Sequence, residues 1–491
     1  MLTYTPHLGC VVNTLLVGAC AALASRADAG VVRVPQDQPS IAQAIAVAAN
    51  GDTVLISRGT YGGGLTLSGK TLTLASNFIV SNDPNDVAQT ILGSGDPILT
   101  IHSSAGAATT IAGLTFQNGG YHLVNYARRM TVRDCRFLHG NGDQMSFEGA
   151  GGTVSNCFFD DASDDAIDVD NASDPTIVGN VLQNAGDDGI EIRLQPYTGS
   201  MMETFVRDNR ISGCGEDGIQ LIDYAGLSSR FIRIERNVVV DNADVGLGSM
   251  ADGNSTENFA GAPMIEEVQV VNNTFSGNPY GITGGDNMLV MNNIVVNASQ
   301  IGIKRVGASS LVTYTTFWNN GTHHTTSNVG DGHTLFQDPL LDADYALQSG
   351  SHCIDTGAAS VVWNGESVSA PSYSGNAPDR GGQETGGPVA VPHPGSPVGF
   401  EVGWPAPNPT LGGPVSLKLI ADTPQEVTVE LFDVLGRAVG IATRRHVVAG
   451  ANVIRWEPPL HDGRDPGPGL YFVRVQGARG HSIRSLVVLR R

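Results

Sequence analysis

An acidic pair followed by a small residue and a branched apolar one comes round three times between Phe159 and Asp223. The copies are Asp164-Asp165-Ala166-Ile167-Asp168, Asp187-Asp188-Gly189-Ile190-Glu191 and Glu216-Asp217-Gly218-Ile219-Gln220, spaced by 23 residues (164 to 187) and 29 residues (187 to 216). A period of about 20–30 residues, built of short strands and Gly/Asn turns without a helical apolar stripe, restricts a chain to a solenoid: no unit buries its apolar face alone, so each coil stacks on the last. The Gly-Ile element recurs at Gly246-Leu247, Gly281-Ile282 and Gly302-Ile303, with a divergent earlier copy at Asp143-Gln144-Met145-Ser146-Phe147.

A second strand accompanies each copy: Val132–Phe137, Val154–Phe159, Ile177–Leu182, Val206–Ile211, Ile234–Val239, Val270–Phe275 and Val290–Val295. Aligning these puts Cys135, Cys157, Asn180, Asn209, Asn237, Asn273 and Asn293 in one column. Asn suits the left-handed backbone of a tight turn, and stacked Asn side chains hydrogen-bond from coil to coil. Within the repeat strands Ile167/Val169, Ile190/Ile192 and Ile219/Leu221 alternate with polar residues. The apolar set therefore points inward, and Asp168, Glu191 and Gln220 share an outer face.

This pattern resembles the right-handed parallel β-helix of the pectin-lyase-like proteins, over roughly Gly30 to Glu384. The entry is similar too: Pro39-Ser40-Ile41 with Ala42–Asn50 reads as a short helix capping the first coil, Gly51–Ile56 as the first strand and Gly59-Thr60-Tyr61 as its turn. So is the exit, through Asp338-Pro339-Leu340, Tyr345-Ala346-Leu347 and Ile354-Asp355-Thr356-Gly357. The fold class expected is all-β, a right-handed single-stranded parallel β-helix followed by a small Ig-like β-sandwich.

The 62 Gly and 6% aromatic residues suit a turn-rich solenoid. With 48 acidic against 28 basic residues the net charge is −20, which argues against nucleic acid and anionic membranes as partners and favours cation binding or plain solubility. Residues 1–29 have the form of a secretion signal, with an apolar run Leu15–Ala24 and a small-residue site Ala27-Asp28-Ala29, although Val17-Gly18-Ala19-Cys20 also fits a lipoprotein cleavage box. Either reading predicts a secreted or outer-surface protein, with no spanning segment in the mature chain. A monomer is expected. Cys135 and Cys157, adjacent in the stacked column, are either a disulfide or two free core thiols.

Between Asp160 and Asp170 six residues of eleven are carboxylates, and stacking at about 4.8 Å per coil brings Asp187, Asp188 and Glu191 alongside. Hard cations relieve such crowding, and Ca²⁺, with six to eight oxygen ligands, suits it best. The ligands expected are Asp143, Asp164, Asp165 and Asp168, with Asp187 and Asp188 completing that site or forming another. No Cys or His lies in these copies, which disfavours zinc. His323, His324 and His333 have metal-ligating side chains, but sit in a Gly/Thr-rich stretch that reads as a solvated turn.

Asp143 followed by Asp164-Asp165-Ala166-Ile167-Asp168 is similar to the Ca²⁺ motif of family nine pectate lyases, in which an Asp on one coil precedes Asp-Asp-Gly-x-Asp on the next. That resemblance implies a polysaccharide lyase, a carbon–oxygen lyase cleaving a uronate-containing polysaccharide by Ca²⁺-assisted β-elimination. Two departures stand out. Ala166 replaces the Gly, and the family's Lys base has no counterpart: Lys304 falls in the column of Asp168 but five coils on, roughly 24 Å away. Arg193, one coil from Asp170 on the same face, is the candidate base or an ion pair between rungs, with Arg207 and Arg210 as weaker alternatives. Paired carboxylates also suit glycoside hydrolysis, but the Gly-His-Gly and Arg-x-Lys of the polygalacturonase type are missing near Asp187-Asp188. The alternative to an enzyme is a non-catalytic surface, adhesion or glycan-binding solenoid whose acidic coils bind Ca²⁺ only to hold themselves together.

Residues 385–402 read as a Gly/Pro-rich linker. Residues 403–491 carry short alternating strands, Val415–Ile420, Glu426–Asp433, Ala438–Ile441, Asn452–Trp456, Gly469–Gln476 and Ser482–Leu489, which predict an Ig-like sandwich. Pro405-Ala406-Pro407-Asn408-Pro409, Leu431–Arg437, Gly469–Val475 and Leu486–Arg490 resemble the C-terminal sorting domain of type IX secretion cargo and its flagellar hook-assembly-like Ig relatives. The resemblance implies secretion machinery as a partner; a plain spacer domain is the alternative.

Overall fold

A computed structural model describes residues 29–385 apart from 227 and 331, residues 400–402, and most of 415–488. The expected secretion signal, apart from Ala29, and most of the expected linker lie outside the described residues. Three all-parallel sheets of twelve, eleven and eleven strands account for residues 31–325, and each coil contributes one strand to each sheet in turn. One eleven-stranded sheet carries the Gly-Ile strands in the order of the chain, from Leu65–Leu67 to Thr322–Thr325. Here it is termed the acid sheet.

Each stretch read from the sequence as one second strand is two strands in two different sheets. Met130–Arg133 and Arg136–Gly140, for instance, meet at a corner. The corner residue is left-handed in every coil from Asp134 onward, through Asn156, Gly179, Asp208, Arg236, Asn272 and Asn292, with φ between 52° and 64°. The residue that turns the chain is thus the one before the ladder Asn, not the ladder Asn itself. The ladder Asn has another task. Asn237 Oδ1 accepts from the backbone N–H and the Nδ2 of Asn209 at 3.0 Å each, while its own Nδ2 donates to Val206 O at 2.8 Å and to Asn273 Oδ1 at 3.0 Å. The backbone bond repeats from Cys157 to Asn273, so the buried corner N–H groups that the strands leave unpaired are satisfied there. A second ladder, unread in the sequence, joins Cys214, Asn242 and Asn278 at the opposite corner.

Inside the coils, stacking aligns like with like. Phe116, Phe137 and Phe159 lie parallel at 4.8 and 4.5 Å between centroids. Ile167, Val169, Ile190, Ile192, Ile219 and Leu221 all belong to the same fully buried core. Cys135, Cys157, Cys214 and Cys353 are buried free thiols, so the column cysteines are packing residues.

The helix Ile41–Val47 starts at Ser40, whose hydroxyl accepts from Gln43 N–H, and packs on the first strands. Val31–Val34 adds an edge strand before Thr53–Ile56. At the far end residues 335–385 fold back over the coils: Trp363 Nε1 donates to Ser309 O, Asn292 Nδ2 to Ala358 O and Asn272 Nδ2 to Asp379 O.

Toward the C-terminus, antiparallel sheets of three and four strands share one buried cluster that includes Leu417, Trp456, Val429 and Val475. Phe400–Val402, placed by the sequence reading in the linker, is a strand paired with Leu419–Ala421. In place of Ala438–Ile441, most of which lies outside the described residues, a strand runs over Thr443–Val447.

Replacing Asn237 with Ala deletes two acceptor and two donor roles in the buried ladder. We expect a loss of about 2–4 kcal/mol in the urea unfolding free energy, well above a surface Asn→Ala control.

Candidate metal centre on the acid sheet

The corner between the other eleven-stranded sheet and the acid sheet turns at left-handed His139, Asp161, Asn184 and Asp241. Three residues on, the acidic pairs enter the acid sheet. The second acid of each pair forms a ladder of its own: Asp143 Oδ1 accepts Asp165 N–H at 3.3 Å, Asp165 Oδ1 accepts Asp188 N–H at 2.9 Å, Asp188 Oδ1 accepts Asp217 N–H at 2.7 Å, and Asp217 Oδ1 accepts Val245 N–H at 2.9 Å. One oxygen of each carboxylate therefore carries backbone structure, and the other is left over.

Register then fixes the neighbours. Ser146, Asp168, Glu191, Gln220 and Gly248 stand opposite one another on successive strands. The sequence predicted an outer face here, and the column does point away from the core, yet Asp168 is only 7% exposed, Glu191 1% and Gln220 0%. The residues between Ala251 and Glu266, outside the repeat, bring Glu257 over this column: its N–H donates to Glu216 Oε2 at 3.2 Å, and a Cβ added at Gly248 would meet Asp217 Oδ2 at 1.8 Å and Glu257 Oε2 at 2.6 Å.

The expected ligands do gather, in overlapping sets rather than one. Carboxylate oxygens of Asp143, Asp164 and Asp165 lie within 4.8 Å of one another, as do those of Asp165, Asp187 and Asp188, and those of Asp165, Asp168 and Glu191. Glu148, Asp168 and Asp170 make a further set. Asp165 belongs to three of the four. Ligand oxygens at the 2.3–2.6 Å usual for Ca²⁺ sit within about 5 Å of each other, so this spacing fits a hard cation. Asp168 Oδ1 and Asp188 Oδ2 are buried with no hydrogen-bond partner among the described residues, an arrangement that charge or a proton must compensate. Glu191 and Asp217 were quoted in the repeat but not read as site residues; sharing a column with Asp168 and Asp188 was the signal. Nothing in the sequence marks Glu257.

Burial first, and then mutual repulsion, push these acids up. Asp143 rises to about 7, with Asp164 as the main charged neighbour. Burial likewise raises Glu191 to about 7 and Asp187 to about 6, Glu216 adding to the latter. Asp165, Asp168 and Asp188 are raised for the same reason, with Asp188, Asp170 and Asp217 respectively adding most after burial.

Arg193 is the one cation within ion-pair distance of these acids among the described residues. It lies 2.6 Å from Glu191 Oε1, 3.4 Å from Asp170 Oδ1 and 4.0 Å from Asp168 Oδ1. Burial opposes its charge, but Glu191, Tyr224, Asp168 and Asp170 outweigh that and hold it above the ordinary arginine value. A guanidinium so placed is a counter-ion, and its surroundings are the opposite of what a proton acceptor needs. Arg207 and Arg210 belong to the other two sheets, over the rings of Phe205 and Tyr345. His323 and His324 pack around Phe317 and Phe336, while His333 stacks on Tyr314 at 4.4 Å, so the three imidazoles are split between two aromatic clusters.

The family model for the right handed beta helix region matches residues 90–259 and, in a second match, 197–295. Over residues 90–295 the three-sheet parallel solenoid is thus similar to the right-handed β-helix. No curated protein sequence matches the chain. Among solved structures, similarity extends to the pectate lyase Pel9A (16% identity, 70% of this chain and 90% of that one, TM-score 0.45). It extends also to the PL6 family alginate lyase AlyGC (14% identity, 66% and 56%, TM-score 0.38) and to the catalytic domain of a GH87 alpha-1,3-glucanase (14% identity, 63% and 70%, TM-score 0.36). Among the described residues, no helix is long and apolar enough to cross a membrane.

These raised carboxylates bind more protons folded than unfolded between about pH 4 and 7, so in chelator the unfolding midpoint should fall as pH rises through that window. Ca²⁺ at a hundredfold excess over its dissociation constant should restore about 2.7 kcal/mol at neutral pH. Asp165→Asn/Asp168→Asn should abolish most of that Ca²⁺ response; a parent-like response would exclude the site. Arg193→Gln, which strips the counter-ion, should cost the metal-free protein about 1–2 kcal/mol in denaturant titrations.

Proposed function

We propose that this is an exported β-helix protein that acts on an acidic polysaccharide at the acid sheet, by Ca²⁺-assisted β-elimination. The observation that carries the reading is the concentration of buried carboxylates around Asp165 with a single cation beside them among the described residues, including Asp168 Oδ1 and Asp188 Oδ2, which accept no hydrogen bond there. Asp143, Asp164, Asp165 and Asp168 would hold the cation, with Glu191, Asp187 and Asp188 as neighbouring donors. Bound there, Ca²⁺ would supply a Lewis-acid contact for the uronate carboxylate and so acidify the adjacent C–H. The chain's own residues do the rest of the positioning. The backbone bonds to Oδ1 fix Asp165 and Asp188 in register, and Arg193 holds Glu191, Asp168 and Asp170 as a charged counter-ion. With Arg193 held as a counter-ion, the acidified proton would pass to the half-buried Asp187 carboxylate, raised to about 6, as the glycosidic C–O bond breaks and solvent protonates the departing oxygen.

A second reading, a non-catalytic solenoid whose acids serve only to brace its coils, is favoured by one observation: Asp143, Asp165, Asp188 and Asp217 each spend an oxygen on a backbone N–H. In either reading the two C-terminal antiparallel sheets form an Ig-like sorting domain that directs the protein outward.

Incubation with polygalacturonate, alginate and other uronate polymers discriminates. Elimination gives Ca²⁺-dependent growth of unsaturated-product absorbance, which Asp165→Asn/Asp168→Asn should lower by at least about 100-fold. New reducing ends without unsaturation would instead indicate hydrolysis. Neither signal, with Ca²⁺ still raising the unfolding midpoint, would establish the bracing role.

A further inference from the structure

Beyond the acidic coils the same sheet face changes character. In the column of Asp143, Asp165, Asp188 and Asp217, the next two positions are Val245 and Tyr280. The Asp168–Glu191–Gln220–Gly248 column continues to Thr283 and Lys304. Tyr280 stacks on Phe259 with centroids 4.4 Å apart and planes 22° apart, and Lys304 Nζ lies 5.6 Å from the Tyr280 centroid. All three side chains are partly accessible.

Two features set this patch apart from ordinary surface. Phe259 has a left-handed backbone, φ +56°, a conformation that a bulky residue adopts only when its surroundings impose it. The Glu257 carboxylate imposes it by accepting the Phe259 N–H, and Glu257 is the residue that reaches back over Gly248 and Asp217. Lys304 is one of three lysines in a chain of net charge −20, and among the described residues it pairs with no carboxylate. Lys70, by contrast, is tied to the carbonyls of Ile45, Ala46 and Ala48.

We propose that Phe259, Tyr280 and Lys304 form a second glycan subsite, which binds another uronate unit of the polymer that lies over the acidic coils. This rests on the polysaccharide reading and extends it. Aromatic faces accept the C–H face of a pyranose, and the Lys304 ammonium pairs with the ring's carboxylate. Four coils separate Glu191 from Lys304, roughly 19 Å along the sheet, so only a chain of several sugars reaches both. Polymer length and uronate content would then both govern affinity.

The test is binding of polygalacturonate, alginate and neutral dextran to the full chain in Ca²⁺, by calorimetry at two salt concentrations. Phe259→Gly removes the ring while suiting the left-handed backbone, and Lys304→Gln removes the charge without disturbing the core. Phe259→Gly should weaken uronate polymers about three- to tenfold. Lys304→Gln should weaken them about fivefold and flatten the salt dependence. Ca²⁺ should raise the unfolding midpoint of both variants as it does the parent's, which shows that the acidic coils are intact. Parent-like affinities in both variants, with the parent binding and cleaving uronate polymers, would overturn the subsite alone. A parent that binds none of the polymers would overturn subsite and polysaccharide reading together.

Discussion

Everything in this protein hangs on one hydrogen bond, from the backbone N–H at a corner to a side-chain oxygen one coil away. Strands satisfy their own amides through the three sheets, but corners do not, and every turn of the solenoid has buried corners to provide for. At one corner the acceptor is an Asn, which donates as well as accepts, so the ladder is neutral and self-sufficient. Where the chain enters the acid sheet the acceptor is an Asp. The geometry of the bond is alike, but an Asp has no N–H to give back, so its second oxygen is left outside the ladder. The candidate metal centre is thus the Asn ladder's own device with the amide exchanged for an acid.

Much of this was legible because the repeat exposes it. The inward set Ile167, Ile190 and Ile219 follows from alternation, and the Asn column from alignment. The Gly of the Gly-Ile element follows from neither, although its reason is simple: a Cβ at Gly189 would lie 2.6 Å from Gly218 O, and one at Gly246 2.7 Å from Gly281 O. Ala166 occupies the same place one coil earlier.

What escaped the sequence is what the repeat does not contain. The left-handed corner residue is Asp, Asn, Gly or Arg in different coils, so its identity hides a constant conformation. The burial of Asp168, Glu191 and Gln220 depends on neighbouring coils and on the excursion that carries Glu257, whose spacing matches no other coil. In sequence Arg193 reads more simply as an ion pair than as a base, and the three carboxylates around it settle the counter-ion role. Phe400–Val402 was hidden by its Gly/Pro-rich neighbours, because composition averages over the few residues that matter.

The segment that folds back from the end of the solenoid touches it from Arg210, under the Tyr345 ring, to Thr316, beside Cys353. Those coils are laced to a second run of chain, whereas the coils of Asp143, Asp165 and Asp188 hold on mainly through nearest neighbours, as units of a one-dimensional array do, with Arg230 reaching back to Gln195 O and Asn171 O. They are also the coils whose charges repel. The rod thus has a natural seam between a laced downstream block and an unlaced upstream one, and the state of the carboxylates at the seam decides whether the two melt as a single cooperative body or come apart in sequence.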